Sequence, residues 1–252
     1  MINDNRWGIL YCPKHEMLSS KHRWEKIEKC LKTNDVEYDF VQSESSSGVD
    51  RLVKMMINNG YKTIVIVGGD SALNDAVNCL MQTDSKVRES VALGVIPNGF
   101  GNDFAKFWGM HTDDYKNTID ALIFQHTRKV DVGTIQIADA DGQDKLLYFL
   151  DCVNLGVASS ITNLKRKTSN WFGFKTISYF FSALLLLFQR MNFRYVFDMS
   201  GEHIEQSAMS ICIGSAHGYG QTPSAVPYNG LLDITLVSKP AIFQIFHGLC
   251  CC

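Results

Sequence analysis

The chain has 252 residues, 46 % of them hydrophobic and 20 % charged, with a net charge of −2. That length carries one large domain or two modest ones around a real core, and the near-neutral balance excludes the global basic field of a nucleic-acid binder. Eight cysteines form no Cys-x-x-Cys pair and the seven histidines add no zinc-ligand spacing, so reduced thiols and no structural metal are expected. The first residues, Met1 to Arg6, lack the apolar stretch of a signal peptide, which points to the cytoplasm.

The first half alternates between strands and helices. Trp7–Cys12 reads as a strand, Lys21–Leu31 as a helix, Tyr38–Val41 as a second strand, and Val49–Asn58 as a helix after the Ser43–Gly48 turn. Strand Thr63–Val67 runs into Gly68-Gly69-Asp70 and a helix at Leu73–Met81, in which Leu73, Ala76, Val77 and Leu80 fall on one face. Strand Val91–Ile96 runs into Pro97-Asn98-Gly99-Phe100-Gly101-Asn102-Asp103 and a helix at Asp103–Trp108. Repeated β–α units predict a doubly wound, mostly parallel sheet whose ligand lies beyond the carboxyl ends of the strands. From Lys129 the texture changes. Val130–Ala138, Lys145–Val153, Phe193–Met199, Ala208–Gly214 and Leu231–Ser238 read as strands joined by turns such as Asn229-Gly230, with one helix at Lys175–Met191. The expectation is an α/β domain over residues 1–128 followed by an antiparallel β-rich domain over 129–252.

A strand that ends in glycines and then starts a helix is a phosphate-binding geometry. Glycine allows positive φ and close backbone approach, and the helix N-terminus adds partial positive charge. Two such turns stand within about thirty-five residues of each other, each closing on a carboxylate, which suggests a nucleotide site with metal or acid–base chemistry. Either turn alone is also readable as a tight βα connection with Asp70, Ser71 or Asp103 as its N-cap, and Asn229-Gly230 as an ordinary hairpin turn.

Val67-Gly68-Gly69-Asp70 with Leu73-Asn74, then Gly94-Val95-Ile96-Pro97 leading to Gly99-x-Gly101-Asn102-Asp103-Phe104-Ala105, resembles the diacylglycerol kinase catalytic family, which includes bacterial lipid kinases and sphingosine kinases and is more distantly related to NAD kinases. Asn154-Leu155-Gly156, Gly218-Tyr219-Gly220 with Gln221 to Ala225, and Asn229-Gly230-Leu231-Leu232-Asp233 follow in the same order, so the resemblance covers nearly the whole chain. It implies a two-domain kinase in which ATP·Mg²⁺ gives its γ-phosphoryl group to a hydroxyl of diacylglycerol or a related long-chain lipid alcohol. Phosphoryl transfer needs positioned phosphates, a cation and an oriented acceptor. The matching nucleotide-site residues are Gly68, Gly69, Asp70 and Asn74 in the first turn and Pro97, Gly99, Gly101, Asn102 and Asp103 in the second, with Pro13 and Ser47 completing the cradle. Asp70 is the expected catalytic residue, organising Mg²⁺ or the acceptor hydroxyl. Asn229 and Asp233 are the candidate metal ligands.

This chain departs from the family pattern at several places. Ser71-Ala72 stands where the family has Gly-Thr, Cys12 where it has Asn, and Asn229 where it has Asp. The amide at 229 is a weaker ligand for a hard cation. The family's later strands and acidic segment have no match before Cys252, so the resemblance implies a chain without them. These departures motivate a second function, a nucleotide- or lipid-binding protein without turnover. A third, kinase action on a soluble acceptor such as NAD, shares only the first turn. Ile177–Phe188 is too short to span a bilayer. It reads as a buried helix or, with Lys165-Arg166-Lys167 before it and Arg190 after, as an interfacial element. The expected partners are ATP, a lipid at the inner membrane face and a second copy of the chain.

Overall fold

The computed structural model describes residues 5–13, 17–43, 48–99, 101–124, 127–138, 142–156, 192–199, 201–216 and 222–238. The expected helix at Lys175–Met191, Ser47 and the Gly218–Gly220 glycines lie outside these residues.

The first half forms the expected parallel sheet. β1 (Trp7–Tyr11), β2 (Tyr38–Gln42), β3 (Thr63–Gly68) and β4 (Ala92–Pro97) pair in the order β2-β1-β3-β4, all parallel. Both faces are covered, so β1, β3 and β4 are largely apolar runs, while the edge strand β2 carries Asp39 and Gln42. Ile64, Ile66 and Leu10 join one core cluster with Leu52, Val53 and Met56 of α2 (Val49–Asn58) and Leu73, Ala76 and Val77 of α3 (Asp70–Met81). Val65, Val67, Ile9 and Tyr11 point the other way, packing with Ile27 and Leu31 of α1 (Met17–Thr33) and Ile119 of α6 (Tyr115–Ile123). Two short helices, α4 (Ser85–Glu89) and α5 (Asp103–Phe107), lie between β3 and α6 in sequence. Neither α4 nor α6 is legible in the sequence pattern. Asp84 and Asp114 cap them, accepting from the backbone N–H groups of Lys86 and Asn117.

β1 has β2 on one side and β3 on the other. The sheet therefore reverses its winding direction beyond Tyr11 and Gly68, the place where a doubly wound fold holds its ligand.

The remaining strands include three antiparallel pairs. β5 (Gly133–Ala138) pairs β6 (Asp144–Phe149), and β8 (Phe193–Met199) pairs β9 (Glu202–Ala208). β10 (Ser210–Gly214) pairs β11 (Asp233–Val237) and lies in one sheet with β7 (Cys152–Gly156). One expectation is corrected. Lys145–Val153 is not one strand but β6 and β7, broken at Leu150-Asp151. The chain divides into two compact units, residues 1–152 with 215–232 and residues 153–214 with 233–252. Side-chain and backbone hydrogen bonds fasten the first unit together. β6 is fastened to α3, since Asn78 donates to Tyr148 O at 2.7 Å and accepts from Tyr148 N–H at 2.9 Å. Residues 215–232 are fastened to the same unit, where Asp131 N–H donates to Pro227 O at 2.7 Å. There Tyr228 also meets Phe107 edge-on and Trp108 at a tilt, and Arg128 sits 4.4 Å from the Tyr228 ring centroid.

Candidate active site

The two glycine turns touch. A Cβ placed on Gly69 would lie 2.8 Å from Gly99 Cα, and one on Gly99 would strike Gly69 Cα in return and come within 2.6 Å of Asn102 Oδ1. The glycines are thus required by backbone against backbone. Positive φ is not the reason: Gly69 is extended at φ −99° and ψ −178°, and Gly68, Gly69, Gly99 and Gly101 are absent from the positive-φ residues. Asn98 N–H donates to Gly68 O at 2.8 Å, and Cys12 N–H to Val67 O at 2.9 Å, so the ends of β1, β3 and β4 are laced together and Pro13 follows directly from them.

Asn102 locks the second turn. It is buried and left-handed, at φ 53° and ψ 41°. Its Oδ1 accepts from Gly99 N–H at 2.7 Å, while its Nδ2 donates to Gly99 O at 3.0 Å and to Thr112 Oγ1 at 3.1 Å. The side chain expected to face a nucleotide is spent on the loop that would hold it. Asn98 is also buried, and its Oδ1 accepts from Arg23 Nη1 at 3.0 Å. That guanidinium brings a cation to the second turn, and nothing in the spacing of α1 distinguishes it from a surface arginine.

Asp70 opens α3 rather than preceding it. Its Oδ1 accepts from Phe104 N–H at 3.4 Å, so the first turn's carboxylate reaches the start of the second turn's helix. Burial raises its pKa, the charge of Asp103 adds to that, and the backbone hydrogen bonds oppose it. A Cβ on Gly101 would meet Asp70 Oδ2 at 2.9 Å and Asp103 Oδ2 at 3.5 Å, so the two carboxylates flank that glycine.

Asn74 does not face the turns. Its Oδ1 accepts from Leu150 N–H at 3.1 Å and its Nδ2 donates to Tyr148 O at 3.5 Å. Asn229 likewise uses its side-chain oxygen locally, accepting from Leu231 N–H at 2.9 Å in a turn whose Gly230 has φ +73°. Asp131 completes that turn by accepting from Gly230 N–H at 2.7 Å. Asp233 belongs to the other unit, where it opens β11 opposite Gly214. The Cys12 thiol is pushed up to about 11, by burial and then by the charge of Asp75, so it is a packing residue and not a nucleophile.

Asp151 is the functional candidate that the motifs miss. It falls at the break between β6 and β7, and its Oδ1 is sealed from solvent with no hydrogen-bond partner among the described residues. Burial pushes its pKa up to about 8, with the charges of Asp70 and Asp103 contributing. The one available signal is a lone carboxylate in the apolar run Leu146 to Val153.

The comparisons with known proteins agree with this geometry. The diacylglycerol kinase catalytic domain matches residues 6–135, which contain both turns. A Staphylococcus epidermidis protein that carries a lipid-kinase name is 29 % identical over 224 residues, covering 86 % of this chain and 68 % of that protein. The diacylglycerol kinase of Mycobacterium tuberculosis is 26 % identical over 225 residues, covering 86 % and 69 %. The crystal structure of a Bacillus anthracis diacylglycerol kinase superposes with a TM-score of 0.65 at 17 % identity, over 97 % of this chain and 77 % of that one. At that identity the likeness speaks for the fold. The chain belongs to the diacylglycerol kinase catalytic domain family, and as a member it is a kinase, a transferase with an alcohol as acceptor.

Proposed function

We propose that the chain transfers the γ-phosphoryl group of ATP, in a Mg²⁺-dependent reaction, to a hydroxyl of diacylglycerol or a related long-chain lipid alcohol. The observation that carries this reading is the pair of side-chain-free turns pressed together with Asp70 and Asp103 on either side of Gly101. Backbone without side chains lets a polyphosphate approach closely, and Arg23 adds a positive charge beside Asn98.

Two carboxylates next to phosphates would repel them, so the donor set calls for a cation. Mg²⁺ keeps several waters and is held through one or two carboxylates plus substrate phosphates. That fits Asp70 and Asp103, and it is compatible with there being no group of three metal-ligating side chains among the described residues. When bound, the ion would neutralise charge on the transferring group. The protein's own part is to position. Asn102 fixes the Gly99 backbone, the Phe104 N–H of α5 bonds the Asp70 carboxylate, and the glycines leave room for the phosphates. A peripheral lipid contact is supported by exposed Tyr228, Leu231 and Leu232 near Arg128. No helix among the described residues is long and apolar enough to cross a membrane.

The second reading, binding without turnover, is favoured by Ala72, whose methyl group packs against Gly68 where the resemblance calls for a hydroxyl. ATP·Mg²⁺-dependent phosphorylation of a mixed-micelle lipid panel, with ATP binding measured alongside, separates the two. Asp70→Asn keeps an acceptor oxygen for the start of α5 and removes the charge. It is expected to lower kcat about a hundredfold or more with no loss of thermal stability. Near-normal turnover in that variant would remove Asp70 from the mechanism.

A further inference from the structure

A half-buried arginine stands at the carboxyl edge of the parallel sheet with a neutral partner. Arg23 lies in the second turn of α1, and its Nη1 donates to Asn98 Oδ1 at 3.0 Å. Asn98 follows directly from β4 and is itself buried, with 2 % of its surface exposed. Its backbone N–H donates to Gly68 O at 2.8 Å, at the end of β3, and its Nδ2 reaches Cys12 O at 3.5 Å, just past β1. Asn98 therefore ties together the ends of β1, β3 and β4, where the winding of the sheet reverses. Its chain neighbour is Gly99, the glycine that meets Gly69.

A guanidinium carries five N–H donors and a permanent positive charge. Arg23 uses a donor on an uncharged amide, and no carboxylate lies within salt-bridge reach of it among the described residues. By contrast Arg6 meets Asp39, Arg194 meets Glu205, and Arg128 lies over the Tyr228 and Trp108 rings. An amide acceptor orients a guanidinium without neutralising it, as a carboxylate in the same place would. A cation held in place and left uncompensated beside two side-chain-free turns is matched by an anion with several acceptor oxygens.

We propose that Arg23 binds the phosphate chain of the nucleoside triphosphate, and that Asn98 is the positioning residue that holds its guanidinium at the two glycine turns. The proposal rests on the kinase reading above, and it assigns a binding residue on α1, outside both turns. Arg23 moves no proton; its part is to place positive charge against the phosphates. The phosphate of an anionic lipid headgroup offers the same oxygens, and the test separates the two sources.

ATP and inorganic triphosphate are titrated into the full chain for the wild type, Arg23→Gln and Arg23→Lys, at ~0.05 M and ~0.5 M KCl. Thermal unfolding and sedimentation on phosphatidylglycerol vesicles are followed in parallel. Arg23→Gln is expected to bind both anions roughly tenfold more weakly at low salt, and to lose much of that difference at high salt because the missing contact is a charged one. Arg23→Lys should recover part of the affinity, since it keeps the charge and loses the fork. Vesicle binding should be the same in all three proteins. A purely structural role predicts a deficit that salt leaves unchanged, with a lower melting point. Such a deficit, or an unchanged ATP affinity in Arg23→Gln, would overturn the proposal and leave the kinase reading intact. Weaker vesicle binding at full ATP affinity would overturn it in favour of a lipid headgroup. If Arg23→Gln does not fold, the wild type still decides. Phenylglyoxal modification of Arg23, mapped by mass spectrometry, is expected to be blocked by saturating ATP or inorganic triphosphate, and equal modification with and without them would overturn the proposal. A wild type that binds no ATP would overturn the kinase reading itself, and the proposal with it.

Discussion

Gly69 and Gly99 are glycines for the same reason, namely each other. With 2.8 Å between a would-be Cβ on Gly69 and Gly99 Cα, a methyl group has only backbone to push against, and backbone cannot rotate out of the way. Gly99→Ala is therefore expected to destabilise the protein by about 1–3 kcal/mol and to abolish ATP binding, read by urea melts and by nucleotide titration. Retention of both would show that the turns separate freely. Asn102 makes the same point with polar chemistry. Its left-handed backbone tolerates Asn better than most residues, and its amide satisfies both polar groups of Gly99. Glycine and asparagine at these positions are visible in the sequence. The reason for the glycines is not, because it lies in a contact between Gly69 and Gly99, thirty positions apart.

At the scale of elements, α3 is more than a helix with a buried face. Leu73, Ala76, Val77 and Leu80 point into the core as their spacing predicts, while Asn74 and Asn78 bind β6 on another face. Asn78→Ala would remove the partner of Tyr148 N–H and leave Tyr148 O with only the 3.5 Å bond from Asn74 Nδ2. The expected cost is about 1–3 kcal/mol, with hydrogen exchange accelerated at Tyr148 and Leu150 more than in β1 or β3. Uniform acceleration across the sheet would argue against a local grip. Strands β1, β3 and β4 of the parallel sheet were legible because burial on both faces makes them largely apolar runs. The break at Leu150-Asp151 was not, because the run Leu146 to Val153 looks continuous until Asn74 and Ser215 take hold of its middle.

At the scale of the molecule, buried carboxyls govern the response to pH. Burial raises Asp70, Asp75 and Asp151, the last to about 8. A carboxyl whose pKa is raised by folding binds more protons in the folded than in the unfolded chain. Its stabilising contribution is complete below the ordinary carboxylate range and is lost as pH rises through the folded value. The metal-free protein is expected to lose stability steadily from about pH 4 to about pH 8 in urea melts, and Asp151→Asn should flatten the upper part of that slope. A slope unchanged by the substitution would show that Asp151 does not carry it. Glu28, lowered first by its hydrogen bond to Lys32, works in the opposite sense, but an exposed pair contributes little.

The sequence by itself determined the alternation of strands and helices, the two glycine turns with their carboxylates, and the order of motifs that marks the family. These are local patterns, written in residue type and spacing. Only the tertiary structure decided that the turns press on one another, that Asn74 holds the backbone of Tyr148 and Leu150 rather than ligand, that residues 215–232 return to the first unit, and that Asp151 is left with a sealed oxygen that has no partner among the described residues. Each of those depends on which distant residues meet, and a contact between distant residues leaves no periodicity in the chain to read.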